Sequence, residues 1–332
     1  MPAPFIRRRH LLSVVAVLGL GMAGLAPTLA TAQATFPSKS VRIVVPFGPG
    51  GVGDLTARAV GQKLAERLGQ PVVIENRPGA GGVAAAEAVA RAEPDGHTLF
   101  LMSNGTAVTA GLFKTLPFNT VKDFKPISTL GYFDIAVVAG TEAPYTTLAE
   151  VIAYAKANPG KLNVGSINVG STQNLTAELF KSSAGIDVQV VPFNGTPALV
   201  AALRGRQVDV AVEMLGPVLP QIHAGALRPL AVTGETRSIV QPRVPTAQEA
   251  GVAGLVASSW NALAAPAGTP PAVINRLHRE IVAALGDAEV QQRLRTLNVE
   301  AKASTPEQAA ALLAADILRW SAVIERVGIP KQ

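Results

Sequence analysis

The chain has 332 residues, 48% hydrophobic and 16% charged, which is a soluble globular composition long enough for two domains. It has no cysteine, so disulfides, a lipid-anchor cysteine and thiolate metal sites are excluded. The formal net charge of +6 falls to about +3 without Arg7, Arg8 and Arg9, and no long basic run or aromatic-interleaved basic patch supports nucleic-acid binding.

Those three arginines precede an apolar run from Leu11 to Ala30, followed by Ala30-Thr31-Ala32 and Ala32-Gln33-Ala34. This is the pattern of a signal peptide cleaved near Ala32 or Ala34, so residues 1–34 are expected to leave an exported, periplasmic protein. Gly19, Gly21, Gly24 and Pro27 within the run argue against a transmembrane anchor. The segment RRHLL fits either a twin-arginine or an ordinary secretory signal.

Val41 to Val45 reads as a strand buried on both faces, ended by Pro46. Gly48, Gly50, Gly51 and Gly53 follow, then a helix capped by Asp54, with Leu55, Ala59, Leu64 and Leu68 as its apolar stripe and Gly69 as its stop. A glycine turn that opens a helix offers free N–H groups to an anion. Val72 to Glu75 is the next strand, and Gly79, Gly81 and Gly82 open a helix from Val83 to Ala92. His97 to Met102 is a third strand, followed by a loop at Ser103-Asn104-Gly105-Thr106. Each loop is expected at the carboxyl end of a parallel strand, where open α/β sheets bind ligands.

Ile127 to Val138 reads as an extended crossing into a second αβ domain. There, a helix from Thr147 to Ala157 precedes a strand at Leu162 to Val164, the polar loop GSINVGSTQN and a helix from Leu175 to Ala184. Strands at Asp187 to Val191 and Val208 to Val212 flank the loop and helix of PFNGTPALVAALRG; Leu230 to Thr233 closes the pattern. Ser258 to Pro271 reads as the return crossing. Helices follow at Ala272 to Leu285, at Ala288 to Leu297 and after Thr305, the last burying Leu313, Ile317, Trp320, Ile324 and Val327. The expected organisation is therefore α/β. Domain 1 comprises 35–135 and 258–332, domain 2 comprises 136–257, and a cleft lies between them.

Gly48, Gly50 and Gly53 spell GxGxxG after a strand, and Glu75 stands near the offset of a ribose-binding acid. This supports an alternative reading, an exported nicotinamide-dependent oxidoreductase. Pro46 and Phe47 lengthen the turn and Pro49 interrupts the glycines, which count against it. His10, His97, His223 and His278 show no metal-ligand spacing, and no GxSxG elbow is present. Ser103, Ser166 and Ser171 lie in loops with no evident base; Asp123, Asp209 and Glu213 could pair only in space. The favoured reading is binding without chemistry, with no cofactor and no metal, by glycine- and serine-rich loops whose donors suit a carboxylate.

PFGPGGVGDLTAR, ENRPGAGG, DFKPI, GSINVGS, PFNGTPALVAALRGRQVDV and WNALAAPAGTP together resemble the Bug-type solute-binding proteins of tripartite tricarboxylate transporters. The resemblance spans the mature chain in order. It implies a type II periplasmic-binding-protein fold, no enzymatic activity and capture of a small mono-, di- or tricarboxylate by hinge closure. The acid would pass to a two-component membrane permease, and the receptor is expected to be a monomer. It also implies a ligand site at Phe47, Pro49, Gly50, Gly51, Asp54, Gly79, Ala80, Gly81, Ser103 and Asn104 on domain 1. On domain 2 it implies Ser166, Gly170, Ser171, Phe193, Asn194, Gly195, Thr196 and Glu213. Arg77 belongs to the second motif. Glu213-Met214 and Phe193-Asn194-Gly195 depart from the family pattern, and Met214 with Phe193 suggests a partly apolar distal pocket suited to an aromatic or longer-chain acid.

Overall fold

The computed structural model describes residues 1–2, 36–326 and 328–332. The expected signal peptide with His10, its cleavage sites and Val327 lie outside the described residues. Strand β1 (Val41–Val45), helix α1 (Val52–Leu68), β2 (Val72–Asn76), α2 (Val83–Ala90), β3 (Thr98–Ser103) and α3 (Asn104–Leu112) form the first alternation. β1 lies between β2 and β3, parallel to both, with Ile43 in register with Ile74 and Leu99. Its valines and Ile43 are buried, as the β-branched run predicts.

The long strand β4 (Phe124–Gly140) leads to α4 (Leu148–Ala157), β5 (Asn163–Ile167), α5 (Thr172–Ala184), β6 (Gln189–Phe193) and α6 (Thr196–Arg204). Then come β7 (Val210–Met214), α7 (Leu215–His223), β8 (Leu227–Val232) and β9 (Ser258–Pro266), followed by α8 (Pro271–Leu285), α9 (Ala288–Thr296), β10 (Val299–Ala301) and α10 (Pro306–Arg326). The strand order is β2-β1-β3-β9-β4-β7-β5-β6, with β8 and β10 added on β4. Both segments read as crossings are therefore long strands. β4 pairs with β9 from Phe124 to Asp134, then with β7 and β8 from Ile135 onward. One strand thus belongs to both halves of the sheet.

Several boundaries differ from the sequence reading for identifiable reasons. Asp54 does not cap α1; Gly51 does, with extended backbone angles, and Asp54 lies inside the first turn. Asn104 begins α3, because Thr106 Oγ1 accepts the Ser103 N–H and satisfies the turn. β5 continues through Ser166 to Ile167, and α5 starts at Thr172 after Ser171, whose hydroxyl accepts the Asn174 N–H. Helix α7, which has no counterpart in the sequence reading, contains Gly216, Pro217 and Pro220. Pro217 is tolerated in a first turn whose N–H groups have no acceptor. Trp320 is fully buried, with Leu313 and Ile324 on the same face and Ile317 half-buried.

Candidate functional site

Strands β1, β3, β5, β6 and β7 each end where a helix begins. The N-termini of α1, α3, α5, α6 and α7 converge on a cavity of about 390 Å³ between atoms, mouth included. Gly48, Gly51, Gly53 and Gly195 bring main chain to its wall. Ser103, Thr172, Gln173, Thr196, Ser259 and Asn261 supply polar side chains; Phe47, Phe133, Ile167 and Met214 supply apolar surface.

No charged side chain is among these lining residues. Positive potential comes instead from five helix N-termini, each equivalent to roughly half an elementary charge. The N–H groups of Val52 and Gly53, and of Thr172 and Gln173, lie in first turns and have no intrahelical acceptor. Two side-chain donors add to them. Ser103 and Asn261 are 3% and 1% exposed, and neither the Ser103 hydroxyl nor Asn261 Nδ2 donates to an acceptor among the described residues. Buried polar atoms are nearly always paired, so two unpaired donors in one cavity call for a ligand oxygen or an ordered water. A carboxylate meets that demand without a cation.

An adjoining recess of about 270 Å³ shares Phe47 and Ser103 and is lined by Gly79, Gly81, Asn168, Gly170 and Ser171. The walls meet across it: Gly81 N–H donates to Val169 O at 2.7 Å, and a Cβ on Gly170 would stand 2.9 Å from Gly81 Cα. Deeper in, Thr172 Oγ1 donates to Asn104 Oδ1 at 3.0 Å.

The structure thus brings Phe47, Gly51, Ser103, Gly195 and Thr196 into the main cavity and Gly79, Gly81, Gly170 and Ser171 into the recess. The other expected positions stand outside both. Pro49, Ala80 and Asn194 are exposed. The Gly50 N–H is taken by Asp54 Oδ2 at 3.0 Å. The Asp54 carboxylate also receives Arg58 Nε at 3.0 Å and Asn76 Nδ2 at 2.9 Å, so it braces the loop rather than facing a ligand. Burial raises its pKa, but Arg58, the Gly50 N–H and Asn76 outweigh that and hold it below the usual value. Asn104 is engaged by Asp316 and Thr172; Ser166 accepts Asn174 Nδ2; Phe193 packs beneath Gly165. Glu213 lies directly behind Gln173. Arg77 pairs with Glu75, which also pairs with Arg42.

Asp123 accepts the Asn119 N–H, Asp209 the Asn163 N–H and Glu213 the Gln173 amide, so these three acids serve separate structural bonds. His97 is buried and accepts the Ser38 N–H, His223 is exposed, and no group of three potential metal ligands occurs among the described residues. The lining residues that sequence reasoning missed are chiefly Phe133, Thr172, Gln173, Ser259 and Asn261. The alternation of Ser259 and Asn261 around Trp260 puts the two on one strand face but does not by itself mark them as site residues.

A model of the tripartite tricarboxylate transporter family receptor matches residues 56–329. Protein BugT of Bordetella pertussis is 34% identical over 317 residues, covering 95% of this chain and 97% of that protein. A solved R. palustris protein with adipate is 33% identical with a TM-score of 0.85, covering 89% of this chain and 99% of that one. MatC from Rhodopseudomonas palustris with bound malate is 35% identical with a TM-score of 0.82, covering 87% and 100%.

Proposed function

The chain belongs to the tripartite tricarboxylate transporter receptor family, and on that premise we propose that it is a periplasmic receptor for a small organic carboxylate. The acid is captured in the main cavity and passed to a membrane permease. The observation that carries this reading is the pair of unpartnered donors, Ser103 Oγ and Asn261 Nδ2, beside helix N-termini in a cavity without a charged wall. Relatives solved with adipate and with malate support the same ligand class.

One carboxylate group is assigned to the end formed by Gly51 to Gly53, Ser103 and Asn261. The remainder of the molecule lies against Phe47, Phe133, Ile167 and Met214, which suits an aromatic or longer-chain acid. Residues 35–135 with 258–332 form one lobe and 136–257 the other, and capture closes them. Contacts such as Gly81 to Val169 and Thr172 to Asn104 are those of the closed form. The ligand needs only a greater affinity for that form than for the open one. Membership of a receptor family supports a receptor without catalysis.

Calorimetry with a panel of mono-, di- and tricarboxylates, alongside nicotinamide cofactors, tests the reading. The expected result is an acid bound at micromolar affinity, about −8 kcal/mol. Stabilisation by a nicotinamide cofactor with no response to any acid would reverse it.

A further inference from the structure

Glu213 is 1% exposed and lies behind Gln173, outside the cavity lining. Its Oε1 accepts Gln173 Nε2 at 2.7 Å and the Met214 N–H at 2.7 Å, and both of those residues line the cavity. Its Oε2 makes no hydrogen bond of ordinary length among the described residues, although the Thr196 hydroxyl is close enough to act on the carboxyl. No cation among the described residues pairs with it. The charged or titratable residues on the packed elements are Lys125, Tyr132 and Asp134 on β4, Glu178 and Lys181 on α5, Arg204 on α6 and His223 on α7; β5 carries none. None of them pairs with Glu213 among the described residues.

An ionised Glu213 behind Gln173 would put a second negative charge beside a cavity that closes on a carboxylate and has no charged side chain in its lining. Like charges in such surroundings repel, whereas protonation removes the conflict. Burial already pushes the Glu213 carboxyl above its usual value, although Gln173, the Met214 N–H and, more weakly, Thr196 pull it part of the way back.

We propose that this receptor binds its carboxylate together with one proton, which Glu213 takes up on Oε2 as the cavity closes. The proposal rests on the carboxylate reading above. Open protein, carboxylate anion and one proton go to a complex that holds a neutral Glu213, so charge balances. The sign follows: a carboxyl whose pKa is higher in the closed form favours binding fully below its open-form pKa. That advantage is lost as pH rises towards the closed-form value.

Calorimetric titrations with adipate, malate and benzoate, from about pH 6.5 to about 9, keep these acids ionised. The expected result is affinity that weakens by up to about tenfold per pH unit over part of that range. The binding heat should also vary with the buffer's ionisation enthalpy, corresponding to about one proton taken up per ligand. Glu213→Gln, whose amide oxygen can still accept both donors, should flatten both dependences. Clear binding of an acid by the unmodified protein with a flat pH profile and buffer-independent heat would overturn the proposal and leave the receptor reading intact. So would a Glu213→Gln variant that keeps the slope. Binding of none of the acids would overturn both. If the variant does not fold, the calorimetry of the unmodified protein decides by itself.

Discussion

Ser103 and Asn261 stand opposite one another in the antiparallel register of β3 and β9, so both side chains project from the same face of the sheet into the main cavity. Both are buried and neither side-chain donor is paired. An unsatisfied group gives the empty protein nothing, but it contributes once an acceptor arrives. Ser103 is also the N-cap of α3, so Ser103→Ala is expected to lower ligand-free stability by only about 1 kcal/mol. Carboxylate affinity should fall by about tenfold to a hundredfold, the effect of losing one hydrogen bond to a charged group. Asn261→Ala should weaken binding similarly. Calorimetry and a ligand-free thermal melt separate the two effects, and unchanged affinity in both variants would place the ligand elsewhere.

Gly51 tests the glycine loop itself. Its backbone angles, φ −79° and ψ 164°, are open to any residue, so strain does not demand glycine here. Nor does space at the first carbon: an added Cβ would stand 3.4 Å from Thr196 Oγ1 and 3.8 Å from the Gly48 carbonyl, ordinary contacts, so only a larger side chain is excluded. Gly51→Ala should therefore bind with modest loss. Gly51→Val adds methyls that occupy the carboxylate end of the cavity and hold the loop off Thr196. Acid binding should disappear while folding stability falls by only about 1 kcal/mol, the usual scale for replacing a helix N-cap. Calorimetry and chemical denaturation check both halves.

Much of this was legible in the chain because strand-to-helix junctions carry local signals. Gly51, Ser103, Gly195 and Thr196 were assigned through the family resemblance, while the strand ends and following apolar periods placed them only on strand-to-helix loops. Asp54 was misplaced by one turn, since an aspartate after a glycine loop reads as a cap, whereas its carboxylate reaches back to the Gly50 N–H. Ser259 and Asn261 were not legible as site residues. Their place depends on β9 inserting between β3 and β4, a long-range pairing with no local signature. Helix α7, which delivers Met214, was hidden by Pro217 and Pro220. Glu213 was found by motif, but only the packing shows that Gln173 stands between it and the cavity.

Asp54 also makes the loop acid-sensitive. Its pKa is depressed in the folded protein despite burial. The resulting stabilisation is complete above the unfolded value of about 3.8 and is lost as pH falls through the lower folded value. Asp54→Ala removes this dependence and frees the Gly50 N–H. Acid unfolding below about pH 4 should become less steep than in the parent. Ligand affinity at neutral pH should fall several-fold although Asp54 does not line the cavity. A pH series of urea denaturations together with calorimetry would show whether the two losses go together.

The last prediction concerns the chain of bonds behind the cavity. Asp316 Oδ2 accepts Trp260 Nε1 at 2.7 Å and Asn104 Nδ2 at 2.6 Å. With its nitrogen held there, the Asn104 amide turns its oxygen towards Thr172, whose hydroxyl donates to it from α5. One buried carboxylate on α10 thereby orients a contact that joins the two walls of the cavity. Asp316→Leu would leave the Trp260 N–H and the Asn104 amide buried and unpaired, at a cost of about 3 kcal/mol in urea denaturation. Asp316→Asn can still accept both donors through its amide oxygen and should recover most of that stability. Thr172→Val removes only the hydroxyl. It should change the melting temperature little while speeding ligand release, because the contact exists only when the walls meet. If Asn104 and Thr172 act as one latch, the Asn104→Ala, Thr172→Val double variant should release ligand no faster than the weaker-binding single variant. Additive effects would mean that Thr172 acts on the ligand alone.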